Sequence, residues 1–143
     1  MSDLKEFRYK DKTFRAGDVL TVHWKDITTN EELWTPCVLL RHFDFIDVPI
    51  KRVYLSTGAL QCRKKDFKGS TTGFMDFYFL DIRIVLDIEN HKCSVCDLSG
   101  EKIGHFIDLR KANEKEIAFL KTKFDYISLG LAIKHVKEVQ DTH

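Results

Sequence analysis

The sequence feature that most constrains the fold is a series of short β-type runs that fills the first two-thirds of the chain. Runs rich in β-branched and aromatic residues, bounded by polar or glycine-containing segments, are typical of strands joined by turns. They predict a mainly antiparallel sheet with strands at 19–24, 36–41, 51–57, 75–88 and 102–109. Pro36 is expected at the start of its strand, because proline has no N–H to donate to a ladder. Residues 89–101 are expected to form a hairpin turn.

The final third of the chain has a helical pattern instead. Asn113 followed by Glu116 is a capping-box pair, which is typical of a helix start. Beyond it, apolar residues recur at spacings of three and four and form one stripe: Ile117, Leu120, Phe124, Ile127 and Leu131. Gly130 is expected either to end a helix or to mark a close packing contact. We therefore predict an α+β protein, with a small, strongly curved antiparallel sheet and a helix packed on it.

Composition indicates one compact domain that comprises residues 1–143. Of these residues, 43% are hydrophobic and 12% aromatic, which supports a buried core and excludes a disordered tail. The 23 basic and 22 acidic residues nearly cancel, so a globally basic nucleic-acid binder is not indicated. A local basic patch is compatible with this balance, because six of the basic residues lie between positions 51 and 68.

The sequence predicts a cytoplasmic protein with no membrane segment. Its N-terminal residues lack the apolar run of a signal peptide, and its longest apolar stretches are interrupted by charge. The four cysteines are therefore expected as reduced thiols rather than as two disulfides.

A basic stretch in the middle of the chain is a candidate nucleic-acid contact. Arg63, Lys64 and Lys65 follow one another, and Arg52 lies upstream of them. Such side chains can track a phosphate backbone. The alternative is a solvated loop, since most charge runs are simply hydrated surface.

Cys93 and Cys96 form the most visible local motif. Together with His91 and His105 they have the ligand types of a tetrahedral zinc site. A zinc ribbon needs a second cysteine pair at short spacing, and the chain has none, so a plain hairpin carrying two thiols is the simpler interpretation. No metal is therefore assigned, and zinc at these four residues is kept as an alternative.

Five segments follow one another in an informative order. They are FRAGDVLTV at 14–22, TPCVLL at 35–40, VYLST at 53–57, LDIRIV at 80–85 and the helical segment 114–133. This series resembles the MazF/PemK (Kid) toxin family, in which a Gly-Asp pair opens the first strand and an acidic residue followed by Arg opens a later one. The resemblance covers most of residues 14–135. It implies an SH3-like β-barrel with a C-terminal helix.

The resemblance also implies a function. Members of the family are mostly metal-independent endoribonucleases that cut single-stranded RNA through its 2′-OH, usually as homodimers, and an acidic antitoxin is their natural partner. Carried over by position, Asp81 is the base or acid, Arg83 or Arg52 stabilises charge and Thr57 positions the phosphate. The basic residues named above are the implied RNA contacts, and no cofactor is implied.

Two positions depart from the family pattern. Thr35 stands where the family has a catalytic Arg before the Pro, and TNEE at 29–32 replaces the family's loop motif. The alternative is a non-enzymatic SH3-like module that binds a nucleic acid or a protein. Its contacts would be aromatic residues such as Trp24, Trp34 and Phe43.

Overall fold

The computed structural model describes residues 2–3, 6–44, 50–58, 82–87, 92–97, 99–124 and 128–141. In this part of the chain, strands come first and helices last. The strands are β1 (Ser2–Asp3), β2 (Glu6–Tyr9), β3 (Lys12–Arg15), β4 (Val19–Asp26), β5 (Glu32–Asp44), β6 (Ile50–Ser56), β7 (Ile82–Asp87), β8 (Lys92–Asp97) and β9 (Lys102–Lys111). The helices are α1 (Glu114–Lys121) and α2 (Leu129–Asp141).

Six of the strands form a sheet that closes on itself. From β4 to β9, each strand pairs antiparallel with the next one along the chain, and β9 returns to pair with β4. β1 pairs with the end of β5, and β2 and β3 form a separate hairpin. The prediction of a mostly antiparallel sheet followed by helical structure, in an α+β protein, is confirmed.

Alternating side chains of the closed sheet fill its interior. Because successive strand residues point to opposite faces, every second residue of most strands is buried there. These residues are Leu20, Val22, Trp24, Cys37, Leu39, Val53, Leu55, Ile84, Leu86, Val95 and Leu109. The β2–β3 hairpin adds Phe7, Tyr9 and Phe14 to the same core. The Arg15 N–H donates to Asp18 Oδ2 (2.8 Å), so the hairpin lies at the end of the sheet where β4 begins.

Gly104 makes room for Trp24 in this interior. It pairs with Asp26 on one side and with Val95 on the other. A Cβ at this position would overlap the Trp24 ring and lie 2.6 Å from Lys25 O. Only glycine permits so close an approach of ring and backbone.

The helices pack on the outer face of β4, β5 and β6. Their buried residues meet Val38 and Leu40, which lie on the face of β5 opposite to Cys37 and Leu39. The helical contributors to this second cluster are Leu120, Leu129, Ala132 and Val136, and Phe124, which follows α1, joins them. Neither helix of the described part is long and apolar enough to cross a membrane.

The predicted helix start is confirmed. Asn113 accepts from the Glu116 N–H (2.8 Å), and Glu116 Oε1 accepts from the Asn113 N–H (2.9 Å), which completes the capping box. The predicted stripe is correct at Leu120, which is buried, but not at Leu131, which is 53% exposed.

The helical segment divides before Gly130. α1 ends at Lys121, and α2 begins at Leu129. Gly130 therefore lies in the first turn of α2, and a Cβ placed there would have no atom within 4 Å. Both expectations for this glycine are wrong, because it neither ends a helix nor marks a close contact.

Two strand predictions also need correction. β5 begins at Glu32, so Pro36 lies inside the strand, opposite Thr21. The Leu39 N–H donates to Asp18 O (2.9 Å), which places the N–H groups of odd-numbered β5 residues toward β4 and the Pro36 nitrogen on the other side. Since β6 pairs with β5 only from Val38 onward, Pro36 interrupts no ladder between the strands that the structure describes.

The second correction concerns the predicted hairpin turn at 89–101. Residues 92–97 form strand β8, which pairs with both β7 and β9. Only Ser99 and Gly100, of the described residues, form the turn that follows it. The predicted strand at 75–88 is confirmed for 82–87, and its first part lies outside the described residues.

Candidate functional site

Arg83 lies on the outer face of β7, between two neighbouring strands. It pairs with Tyr54 of β6 and with Cys96 of β8, while Ile84 beside it points into the core. The Arg83 Cζ atom is 5.9 Å from the centre of the Tyr54 ring, a cation–π contact. Arg83 Nε is buried and has no hydrogen-bond acceptor among the described residues. An arginine held in this way presents charge that no described carboxylate neutralises.

The turn between β8 and β9 fixes the other side of Arg83. Gly100, with φ of +93°, lies so close that a Cβ there would be 2.5 Å from Arg83 Nη2. Asp97 holds this turn, because its Oδ1 accepts from Ser99 Oγ (2.6 Å) and from the Glu101 N–H (3.0 Å). These hydrogen bonds, the Ser99 hydroxyl first, lower the pKa of Asp97 below its ordinary value.

Arg52 and Thr57 belong to the same part of the sheet. Arg52 pairs with Val85, two residues from Arg83 on β7, so the two arginines are diagonal neighbours on the outer face of β6 and β7. Thr57 directly follows the last residue of β6. Three of the predicted site residues therefore lie on β6 and β7 or next to them.

Other predicted site residues fall outside the described part of the chain. Asp81, the implied base, is one of them, as are the basic residues Arg63, Lys64 and Lys65. His91, one of the four alternative zinc ligands, is another. Their roles stay predictions.

The two cysteines of the CxxC motif lie on opposite faces of β8. Cys93 packs against the interior core, whereas Cys96 lies on the outer face with its Sγ 4.0 Å from Ser94 Oγ. This follows from the strand, in which residues three apart alternate sides. Burial raises the pKa of the Cys93 thiol. His105 is exposed on β9, and the described residues contain no group of three metal-ligating side chains.

Two cross-strand rows extend the basic character of this outer face. One row runs from Lys25 through His105, Ser94 and Val85 to Arg52. The adjacent row contains Lys102, Cys96, Arg83 and Tyr54. Neither row, between β4 and β6, contains an acidic residue. We call the five basic residues of these rows the basic strip: Lys25, Arg52, Arg83, Lys102 and His105.

An aromatic stack lies at the β4–β5 end of the basic strip. Trp34 pairs with His23, and their rings lie 4.1 Å apart at an interplanar angle of 12°. His23 Nε2 contacts Glu32 Oε1 at 2.9 Å, so the imidazole is held from its edge. Trp34 is 53% exposed, which leaves its outer side accessible to solvent.

The other aromatic candidates differ from Trp34. Trp24 is buried, and its Nε1 donates to Thr35 Oγ1 (2.9 Å). It is therefore a core residue rather than a binding contact, and Thr35 serves as its acceptor. The side chain of Phe43 lies outside the described residues.

Sequence reasoning did not identify several members of this surface. Tyr54, Lys102 and Lys25 were not singled out, because they are far apart in the chain and come together only through strand register. The spacing of Trp34 and His23 around a polar turn was an available signal, since residues facing each other across a hairpin are cross-strand neighbours.

Comparisons with known proteins give no match: no protein-family model fits the chain, and no curated protein and no solved structure is significantly similar to it.

Proposed function

We propose that the protein is an endoribonuclease that cleaves single-stranded RNA, and that the outer face of β6 and β7 holds the scissile phosphate. The closed sheet would then be an SH3-like barrel of the MazF/PemK kind, as the sequence resemblance implies. The observation that carries the proposal is Arg83, whose buried Nε has no acceptor among the described residues. Its position matches the arginine that the resemblance makes charge-stabilising.

The reaction is a transphosphorylation within the RNA. The 2′-oxygen attacks the adjacent phosphorus and gives its proton to a base. The bond from phosphorus to the 5′-oxygen breaks, and that oxygen takes a proton from an acid. The products are a 2′,3′-cyclic phosphate and a 5′-OH, and the step needs a cation for the charge that develops on phosphorus.

Arg83 is the cation that this step needs. Its guanidinium is planar, permanently charged and presents a fork of donors that fits a phosphate. The Tyr54 ring and the Gly100 turn limit its freedom, so little entropy is lost when it binds. Arg52, diagonally adjacent, provides a second phosphate contact, and Thr57 positions the phosphate from the end of β6.

The departure at Thr35 is compatible with this assignment. The Thr35 hydroxyl accepts the indole N–H of Trp24 and supports the core. The charge that the family carries before the proline is then supplied from β7 by Arg83. Asp81 is the proposed base or acid, two residues before Arg83 in the sequence.

Cleavage of a long single-stranded RNA in the presence of EDTA tests the proposal. Arg83→Ala is expected to lower the rate on the order of 100-fold or more, as loss of a charge-stabilising donor does elsewhere. Asp81→Ala is expected to abolish cleavage. Arg8→Ala removes an equally charged, exposed residue from the β2–β3 hairpin and serves as the matched control, with an unchanged rate. Cleavage by Arg83→Ala at the wild-type rate would contradict the proposal.

A second candidate function is a binding module without catalysis. The observation that favours it is the exposed Trp34 stack, which is an accessible aromatic surface on the sheet. The same experiment separates the two functions. RNA that stays intact in EDTA and in Mg²⁺, but shifts with the protein in a gel, would exclude the enzyme and leave the module.

The assembly is proposed on the resemblance alone. We propose a homodimer that pairs with an acidic antitoxin segment. Light scattering on the purified protein tests the dimer, and a monomeric mass across the concentration range of the assay would exclude it.

A further inference from the structure

We propose that the Trp34–His23 stack is a base-binding platform, and that one segment of single-stranded RNA lies across the basic strip from Arg83 to Trp34. The choice of RNA as ligand rests on the proposed function. The existence and location of the platform rest on separate observations, which concern β4, β5 and β9.

The first observation is the construction of the platform. Trp34 lies parallel to His23 at 4.1 Å, and Glu32 holds the imidazole from its edge. One face of the indole is therefore already stacked on the imidazole. With 53% of the residue exposed, the other face can take a further planar ring. A nucleobase has the shape and π-surface for this, and its stacking on an aromatic side chain is favourable.

The second observation is the path from the platform to Arg83. β9 and β8 separate β4 from β7, and within the two rows they carry His105, Lys102, Ser94 and Cys96. Asp108 of β9 lies opposite His23, and its carboxylate is 3.6 Å from Lys10 Nζ. Lys25 follows His23 by two residues on the same face of β4, and it pairs with His105 of β9. Four strand spacings separate β7 from β5, a distance of about 19 Å along the surface. A strand of RNA can therefore meet a cation at successive phosphates on this path.

The third observation is the match of charge. Between β4 and β6 the two rows contain four lysine and arginine residues and no acid, although the whole chain carries a net charge of only +1. Glu32 is the acid beside Trp34, and its Oε1 atom contacts His23 Nε2 at 2.9 Å. A cationic track that ends in an exposed aromatic ring is the combination that single-stranded nucleic acids require. A peptide made of acidic residues alone would match the charge but has no planar ring to place on the indole.

Equilibrium binding of an uncleavable oligonucleotide tests the inference. The probe is a 2′-O-methyl oligoadenylate of about eight nucleotides, long enough to cover the path. Trp34→Ala is expected to weaken its binding about 5-fold to 100-fold, and Trp34→Phe to restore most of the affinity. Phe119→Ala is the matched control, because Phe119 is also 53% exposed but lies on α1. This variant should bind the oligoadenylate with the wild-type affinity.

A second probe separates stacking from charge. An abasic oligonucleotide of the same length keeps the phosphates and lacks the rings, so the wild type and Trp34→Ala are expected to bind it equally. In the wild type, the oligoadenylate should quench tryptophan emission, and this quenching should disappear in Trp34→Phe, since Trp24 is buried. The fluorescence result also keeps the test decisive if Trp34→Ala folds poorly.

Each outcome has a separate meaning. Equal affinity of wild type, Trp34→Ala and Trp34→Phe for the oligoadenylate would overturn the platform and leave the proposed cleavage function intact. A wild type that binds no oligonucleotide would overturn both. Trp34-dependent binding of a polyglutamate peptide, with no such dependence for the oligoadenylate, would overturn the platform in favour of a protein ligand.

Discussion

Arg110, near the end of β9, and Glu116, in the first turn of α1, are joined by two hydrogen bonds of 2.7 and 2.8 Å. Glu116 also accepts the Asn113 N–H and so completes the capping box. The Glu116 carboxylate therefore connects β9 to α1 and accepts a hydrogen bond from the N–H of Asn113 at the start of the helix. This junction determines where the chain leaves the closed sheet.

The first prediction concerns the pH dependence that this junction confers. The hydrogen bonds from Arg110 lower the pKa of Glu116 from 4.5 to about 2. A lowered pKa in the folded state means that the carboxylate stabilises the fold above about pH 4.5, and that this contribution is lost as the pH falls toward 2. Glu116→Gln should therefore lower the free energy of unfolding by about 1 to 2 kcal/mol at pH 7. At low pH the variant and the wild type should converge, as measured by urea unfolding.

The control for this variant is Glu138→Gln. Glu138 faces Lys134 at 4.0 Å on the exposed surface of α2. Such a pair contributes little, so the free energy of unfolding should change by less than about 0.5 kcal/mol. A Glu116→Gln variant that stays equally destabilised from pH 7 to pH 2 would show that the carboxylate charge is not what matters.

The second prediction tests the packing of Trp24 on Gly104. Gly104→Ala places a methyl group into the Trp24 ring and close to the Lys25 carbonyl. We expect the free energy of unfolding to fall by about 2 to 3 kcal/mol, with a red-shifted tryptophan emission, because the indole must move. Gly130→Ala is the matched control. Gly130 lies in a helix with open space around it, so this substitution should raise the free energy of unfolding by about 0.5 to 1 kcal/mol. A Gly104→Ala variant with the wild-type free energy of unfolding would show that the Trp24 ring moves at no cost.

The third prediction uses the turn beside Arg83. A Cβ at residue 100 would lie 2.5 Å from Arg83 Nη2, so Gly100→Ala should displace the guanidinium. The positive φ of this residue adds a cost of about 1 kcal/mol in stability. We expect RNA cleavage to slow with little change in RNA affinity, since the strip's other cations stay in place. If the folded Gly100→Ala protein cleaves RNA at the wild-type rate, the position of the Arg83 guanidinium does not matter for the reaction.

The fourth prediction concerns salt. Binding through the basic strip releases counterions, so the affinity of the oligoadenylate should fall as the salt concentration rises. The double variant Lys25→Ala/Lys102→Ala should bind more weakly and with a shallower dependence on salt, by about one unit of slope for each phosphate that no longer meets a lysine. The double variant Lys115→Ala/Lys121→Ala, on exposed positions of α1, provides the comparison and should leave the slope unchanged. A wild-type slope of zero would rule out phosphate binding by the strip.

Local patterns predicted local structure well. The capping box at Asn113 and Glu116 needs only neighbouring residues, and it was predicted correctly. The strands at 19–24, 51–57 and 102–109 were likewise visible from their β-branched runs. The prediction for Pro36 failed because its position depends on how far β6 extends along β5, a property of pairing rather than of sequence. Strand β8 was missed because its polar and cysteine residues do not resemble a strand until β7 and β9 pair with it.

The sequence predicted the candidate site only for residues that one strand holds by itself. The pattern around Arg83 could be read from the sequence, and so could Arg52 and Thr57 as separate candidates. Their placement together on β6 and β7, and the rows that join them to Lys25 and His105, depend on the register of five strands. Register is set by the burial of one face and by turn geometry, which a single sequence does not display.

The most direct test of the proposed function compares two substrates of one sequence in EDTA. One is an ordinary single-stranded RNA, and the other carries 2′-O-methyl groups throughout, so that it has no nucleophile. The account predicts that the protein binds both, cuts only the first, and leaves products that end in a 2′,3′-cyclic phosphate and a 5′-OH when analysed by mass spectrometry. It also predicts that Arg83→Ala loses the cleavage. Cleavage of both substrates, or of neither, would contradict the account.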